Sequence, residues 1–141
     1  MTKTKLMLID DEAAFVAAME RRLAKRNIAI VPAYSGAEGL EKLAKTPLID
    51  VVVLDIKMPG MDGIQTLREI KKAHPLIEVI LLTGHATFES AIDGMKLGAF
   101  DYLMKPCDLE ELLAKVEEAK SKRRRHLQKI LESTEQDISR R

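Results

Sequence analysis

Five residues could do chemistry together if the fold brought them to one place. Asp10 and Asp11 follow LMLI, Asp55 closes VVVLD, Thr83 closes VILLT and Lys105 follows YLM. Each comes at the end of a short apolar run, which is where a buried strand would stop. Carboxylates gathered at one point repel each other and push at least one pKa up, unless a cation keeps them ionised. Magnesium suits such a set better than calcium, because it takes one or two carboxylates, keeps several waters and adds a phosphate. A hydroxyl and an ammonium facing it meet the needs of a transferred phosphoryl group, namely charge neutralisation on its oxygens and a fixed orientation. In that chemistry Asp55 is the nucleophile, and Thr83 and Lys105 hold the group it accepts.

The elements that must position these residues follow from the pattern of apolar side chains. Continuous apolar runs at Leu6–Ile9, Ile28–Val31, Val51–Leu54 and Val79–Leu82, with a shorter one at Tyr102–Met104, read as strands covered on both faces. Between them, Val16, Met19 and Leu23 recur at helical spacing, as do Ala37, Leu40, Leu43 and Ala44, and then Ile64, Leu67 and Ile70. Ser35 with Glu38 and Asp108 with Glu111 resemble capping boxes, Gly98 follows a helical stretch, and Pro47 and Pro75 end others. Fivefold βα alternation implies an α/β fold, a doubly wound parallel sheet with right-handed crossovers. In the flavodoxin-like strand order 2-1-3-4-5, the first and third strands are neighbours at the topological switch point, so Asp10, Asp11 and Asp55 converge there.

Composition excludes several classes of function. The 141 residues are one domain's worth, 32% of them charged, with a net charge of +1 that selects no polyanion. Aromatic residues are 4% and Trp is absent, which leaves little to stack nucleic acid bases, so no nucleic-acid binding by this chain alone is expected. The single Cys107 excludes an internal disulfide framework and reads as structural. No apolar stretch approaches a membrane span or a signal-peptide core, and the expected location is the cytoplasm.

Asp10-Asp11, the stretch DIKMPGMDG from Asp55 to Gly63, Thr83-Gly84 and Tyr102-Leu103-Met104-Lys105-Pro106, in this order, resemble the receiver domain of two-component response regulators over about residues 3–120. DIKMPGMDG and TGHATFESAIDGMKLGAFDYLMKP look most like receivers of nitrogen-regulatory-type transcription activators. The resemblance implies a signalling switch rather than an enzyme: Asp55 accepts a phosphoryl group from the phosphohistidine of a sensor histidine kinase. It implies Mg2+ held by Asp11, Asp55 and the backbone carbonyl of Lys57, with Asp10 acting through a water. It makes Thr83 and Tyr102 a coupled switch pair, gives Lys105 the phosphoryl oxygens, and favours a cis bond before Pro106. A phosphatase of the haloacid dehalogenase type is the alternative enzyme class, but Lys57 stands where its second aspartate, the general acid, would be.

Residues 1–120 are therefore expected to form the receiver, and 121–141 a helical C-terminal extension or linker. Leu109, Leu112, Leu113, Val116 and Ala119 give the last helix a face for the sheet, and the helix is expected to run from Asp108 to about Glu132. The basic run Lys120–Arg125 reads as a solvated surface, with Glu111–Lys115 and Glu118–Lys122 as i,i+4 pairs. Leu127, Ile130, Leu131 and Ile138 continue an apolar stripe with no sheet left to cover, which points to a homodimer through the C-terminal helix or to a missing output domain. The chain then reads either as a stand-alone receiver or as the receiver of a larger DNA-binding transcription regulator. The output surface is expected to be the face formed by Phe88 to Asp101, the fifth strand and the last helix.

Overall fold

The structure, a computed structural model, describes residues 3–58 and 60–139, leaving Pro59 of the DIKMPGMDG stretch and Arg140 and Arg141 of the extension outside. The five apolar runs form β1 (Thr4–Ile9), β2 (Ile28–Ala33), β3 (Val51–Asp55), β4 (Glu78–Thr83) and β5 (Asp101–Met104). All pairings are parallel, in the order β2-β1-β3-β4-β5. β2 runs on through Pro32, which lacks an N–H; the strand sits at the edge and bonds only to β1, so the missing donor interrupts no second ladder.

The helices are α1 (Ala13–Ala24), α2 (Gly36–Lys45), α3 (Gly63–Ala73), α4 (Phe88–Lys96) and α5 (Leu109–Ser139). Alternating residues of the central strands feed two cores. Met7, Ile9, Val52, Leu54, Val79 and Leu81 pack with Leu43 of α2, Leu67 and Ile70 of α3 and Ala91 of α4. Leu6, Leu8, Val51, Val53, Ile80 and Leu82 pack with Val16, Met19 and Leu23 of α1 and Leu112, Val116 and Ala119 of α5. Both faces of the sheet are thus covered, which is why these strands are apolar throughout rather than alternating.

Local details depart from the sequence expectation in five places. The buried edge of α2 is Gly36, Gly39 and Leu43, while Ala37 and Ala44 are exposed. A Cβ on Gly39 would lie 2.5 Å from the Ile9 Cδ1 atom, so the helix approaches β1 on its glycines and its alanines turn outward. Ser35 caps α2 by accepting from the Glu38 N–H, but the Glu38 carboxylate accepts from the Tyr34 N–H and pairs with Lys42, so the box is half formed. Asp108 accepts from the Glu110 N–H rather than from Glu111; the full capping box is Asp62 with Gln65 at the start of α3. Finally, α5 continues past Glu132 to Ser139, 31 residues or about 46 Å at 1.5 Å per residue. Neither i,i+4 pair forms there: Lys115 turns to Asp101 at 2.6 Å and Lys122 to Glu78 at 3.5 Å, because each is offered a carboxylate on the sheet side.

Candidate functional site

The carboxyl ends of β1, β3, β4 and β5 bring all the predicted chemical residues to one edge. The Asp10 N–H donates to the Ala33 carbonyl at 2.9 Å, which holds the residue at the end of β1 and fully buries its side chain. Asp55 ends β3 and is 5% exposed, while Asp11 faces solvent. One carboxylate oxygen from each of Asp10, Asp11 and Asp55 lies within 4.8 Å of the others. Lys105, whose N–H donates to the Thr83 carbonyl at 2.7 Å, projects its ammonium into this group: 2.7 Å from Asp10, 2.8 Å from Glu12 and 3.7 Å from Asp55. The peptide bond between Lys105 and Pro106 is cis, as the resemblance implies.

The electrostatics are those of an anion cluster short of cations. Burial, and then the neighbouring Asp10 charge, push Asp55 up to about 6; Lys105 and the Lys57 N–H, 3.4 Å from Asp55 Oδ1, only partly oppose them. Burial works against the charge on Lys105, but its bonds to Asp10 and Glu12 outweigh that and hold its pKa above the ordinary lysine value. Glu12 is held below the usual carboxylate range by the same hydrogen bond. Hard oxygen donors, one of them deeply buried and another already raised in pKa, fit a divalent cation with open positions for water and a phosphoryl oxygen. Among these groups the side chains of Asp10, Asp11 and Asp55 are the ones that could hold it.

Thr83 ends β4 at this edge, and Tyr102 lies within β5, paired with Leu81. The Thr83 hydroxyl is buried and engaged within its own loop, 2.6 Å from the Thr87 hydroxyl and 3.1 Å from the Gly84 carbonyl, which it donates to; the Gly84 N–H donates in turn to Thr87 Oγ1. Tyr102 is half-buried and meets Phe88 edge to face, ring centroids 5.7 Å apart. Sequence reasoning missed three residues here. Glu12 was legible as the third acid of the Asp10–Glu12 run, and it reaches Lys105. Thr87 stands four residues after Thr83, the spacing of one turn. Phe15 carries the Lys105 ammonium 4.3 Å above its ring, for which the sequence holds no signal. Cys107 packs against the core below, and burial raises its thiol pKa, in keeping with a structural role.

Comparison with known proteins agrees with this arrangement. The family model for the response regulator receiver domain matches residues 6–117. The chain is similar to the DNA-binding transcriptional regulator NtrC of Escherichia coli (strain K12), 42% identical over 120 residues, which cover 84% of this chain and 25% of that protein. It therefore spans about a quarter of the length of that curated relative. Among solved structures it is similar to a response regulator receiver domain protein from Clostridium thermocellum, with a TM-score of 0.83 at 38% identity, covering 86% of this chain and 97% of that one. The receiver domain of NtrX from Brucella abortus aligns with a TM-score of 0.77 at 28% identity, covering 82% of this chain and 98% of that one. No helix among the described residues is long and apolar enough to cross a membrane.

Proposed function

Since this chain belongs to the response regulator receiver family, we propose that it works as a phosphorylation-controlled switch in which Asp55 accepts a phosphoryl group from a sensor histidine kinase. The observation that supports this most is the convergence of Asp10, Asp11 and Asp55 within 4.8 Å, with the Lys105 ammonium among them. Asp10, Asp11, Asp55 and the Lys57 carbonyl would hold Mg2+, which when bound neutralises charge on the acids and on the incoming phosphoryl oxygens. Asp55 supplies the attacking oxygen. Lys105, freed from Glu12, binds a phosphoryl oxygen, and Thr83 gives up its bond to Thr87 to donate to another. Charge of about −1.5 to −2 added at one strand end then biases the loop after β4 and, through it, α4 and Tyr102.

Phe88, Ile92 and Met95 leave a partly exposed apolar row on α4 beside Tyr102, which supports this face as the output surface. Thr83→Ala is expected to accept the phosphoryl group but not to transmit it. On phosphorylation, NMR shifts over Ala91 to Ala99 should shrink to a small fraction of the parent's; a full parental pattern in the variant would remove Thr83 from the switch.

Residues 1–120 are proposed to form the receiver and 121–141 an extension through which the output leaves, to a second copy of the chain or to an output domain. Ile130, Leu131 and Ile138 are 50–65% exposed, and each would gain roughly 1–2 kcal/mol by full burial. Leu127, Leu131, Thr134 and Ile138 follow the alternating four- and three-residue spacing of a short coiled-coil seam. We therefore expect a two-fold dimer through this helix. Sedimentation equilibrium at tens of micromolar should give a dimer for the full chain and a monomer for a chain ending at Lys120. Monomers in both, with and without a phosphoryl analogue, would leave the stripe to an output domain.

A further inference from the structure

One buried carboxylate takes no part in the acidic site. Glu78, the first residue of β4, is 2% exposed, although β4 begins at the opposite edge of the sheet from Asp55. Its Oε2 atom has no hydrogen-bond partner. The cation that reaches it is Lys122, from the part of α5 that extends past the core-packing Ala119, with Nζ at 3.5 Å. The same ammonium lies 5.7 Å from the centroid of the Phe100 ring, so a second group fixes its position. Lys71 of α3 is near enough to feel the Glu78 charge but bonds elsewhere. Its ammonium donates to the Pro75 and Ile77 carbonyls, both at 3.0 Å, and burial pushes its pKa down while Glu78 opposes that shift. Two residues before Lys122, Lys120 donates to the Thr4 hydroxyl at 2.8 Å, at the start of β1. The basic run is thus divided: Lys120 and Lys122 bind the sheet edge, while Arg124 and Arg125 face solvent.

We propose that Glu78 is an ionic latch for the departing helix: through Lys122 it pins the first turn of the α5 extension to the amino-terminal end of β4. A carboxylate left in that position without its cation is strongly unfavourable, whereas an exposed lysine gains little from pairing, so the constraint acts mainly on where the helix lies. β4 then has two working ends, Thr83 at the acidic site and Glu78 on the helix that carries the output. The seated turn fixes the direction in which Ile130, Leu131 and Ile138 are presented. The inference holds whether or not Asp55 is the phosphoacceptor, because the latch exists in the unphosphorylated chain.

Hydrogen exchange of the full chain tests it at the amides of Ser121 to Arg125. Lys122→Gln should speed their exchange at least about tenfold, because that turn then opens locally without the sheet edge to hold it. Lys122→Arg, which keeps the charge, should stay within about threefold of the parent, and Lys129→Gln, the same charge change two turns later, should leave these amides unaffected. In a Glu78→Gln background, Lys122→Gln should add less than about threefold, since the pair is already broken. Lys122 has a partly exposed side chain, so its variants keep the sheet, checked by unchanged exchange at Val79 to Leu82. Parental exchange in Lys122→Gln, or equal acceleration with and without Glu78, overturns the latch. Should Glu78→Gln fail to fold, the comparison of Lys122→Gln with Lys122→Arg and Lys129→Gln still decides it.

Discussion

Incubated with acetyl phosphate and magnesium, the parent chain is expected to gain one phosphoryl group and Asp55→Asn to gain none. In the proposed transfer the carboxylate oxygen of Asp55 attacks phosphorus, the bond to the leaving acetate breaks, and an acyl phosphate forms. Asparagine matches the shape of aspartate but offers a neutral amide in place of the nucleophile. Neighbouring acids are not expected to substitute for it: Asp10 is fully buried against Lys105 at 2.7 Å, and Asp11, although its carboxylate comes within 4.8 Å of Asp55, is exposed to solvent and proposed to hold the metal. Intact-mass spectrometry of both proteins over a time course is the measurement. An adduct on Asp55→Asn at the parental rate would move the acceptor elsewhere. Chelation should also stop the reaction in the parent, because Asp10 and Asp11 then repel the incoming anion. Lys105→Ala keeps the acceptor but should slow transfer by roughly 10²-fold, the usual cost of losing one group aimed at developing charge.

The sheet and the acidic cluster were legible in the sequence because both depend on residue type at strand ends. Five apolar runs, four of them with an acid, a hydroxyl or a lysine immediately after, leave few arrangements, and parallel pairing brings those ends to one edge. Details set by side-chain competition were not legible. Glu111 and Glu118 stand at helical spacing from Lys115 and Lys122, yet both lysines choose carboxylates across a tertiary gap, Asp101 and Glu78. The one-residue shift that buries Gly36 and Gly39 of α2 in place of Ala37 and Leu40 depends on Ile9, a contact no local pattern encodes. The Thr83 hydroxyl reads as poised for a phosphoryl oxygen, and the structure has it on Thr87 and Gly84 instead. That choice belongs to the resting loop, where a hydroxyl buried without a partner would be costly. The proposed switch role would give Thr83 two sets of bonds, of which sequence resemblance names only the one expected after phosphorylation.

Removing the Asp55 charge should stabilise the metal-free protein, which is the reverse of what an ordinary paired aspartate would do. Folding moves Asp55 from 3.8 up to about 6, so between about pH 4 and pH 6 the folded chain holds a proton that the unfolded chain has released. Stability that is fully present near pH 4 is then lost as pH rises through that window. A difference of about two pH units is worth about 3 kcal/mol, and with the Asp55 side chain only 7% exposed, solvent screens little of it. The attraction of Lys105 at 3.7 Å is already included in that net displacement, as is the larger repulsion from Asp10. In chelator at pH 7.5, Asp55→Asn should therefore melt on the order of 10 °C above the parent, and the gap should close towards pH 4. Magnesium should stabilise the parent and do much less for the variant, since the charge it would offset is gone. Thermal denaturation followed by circular dichroism at pH 4.5, 6 and 7.5, with chelator and with magnesium, separates the terms. If Asp55→Asn is the less stable protein at pH 7.5 without metal, Lys105 satisfies Asp55 as a stabilising ion pair, and the cluster is not held in repulsion for a cation to relieve.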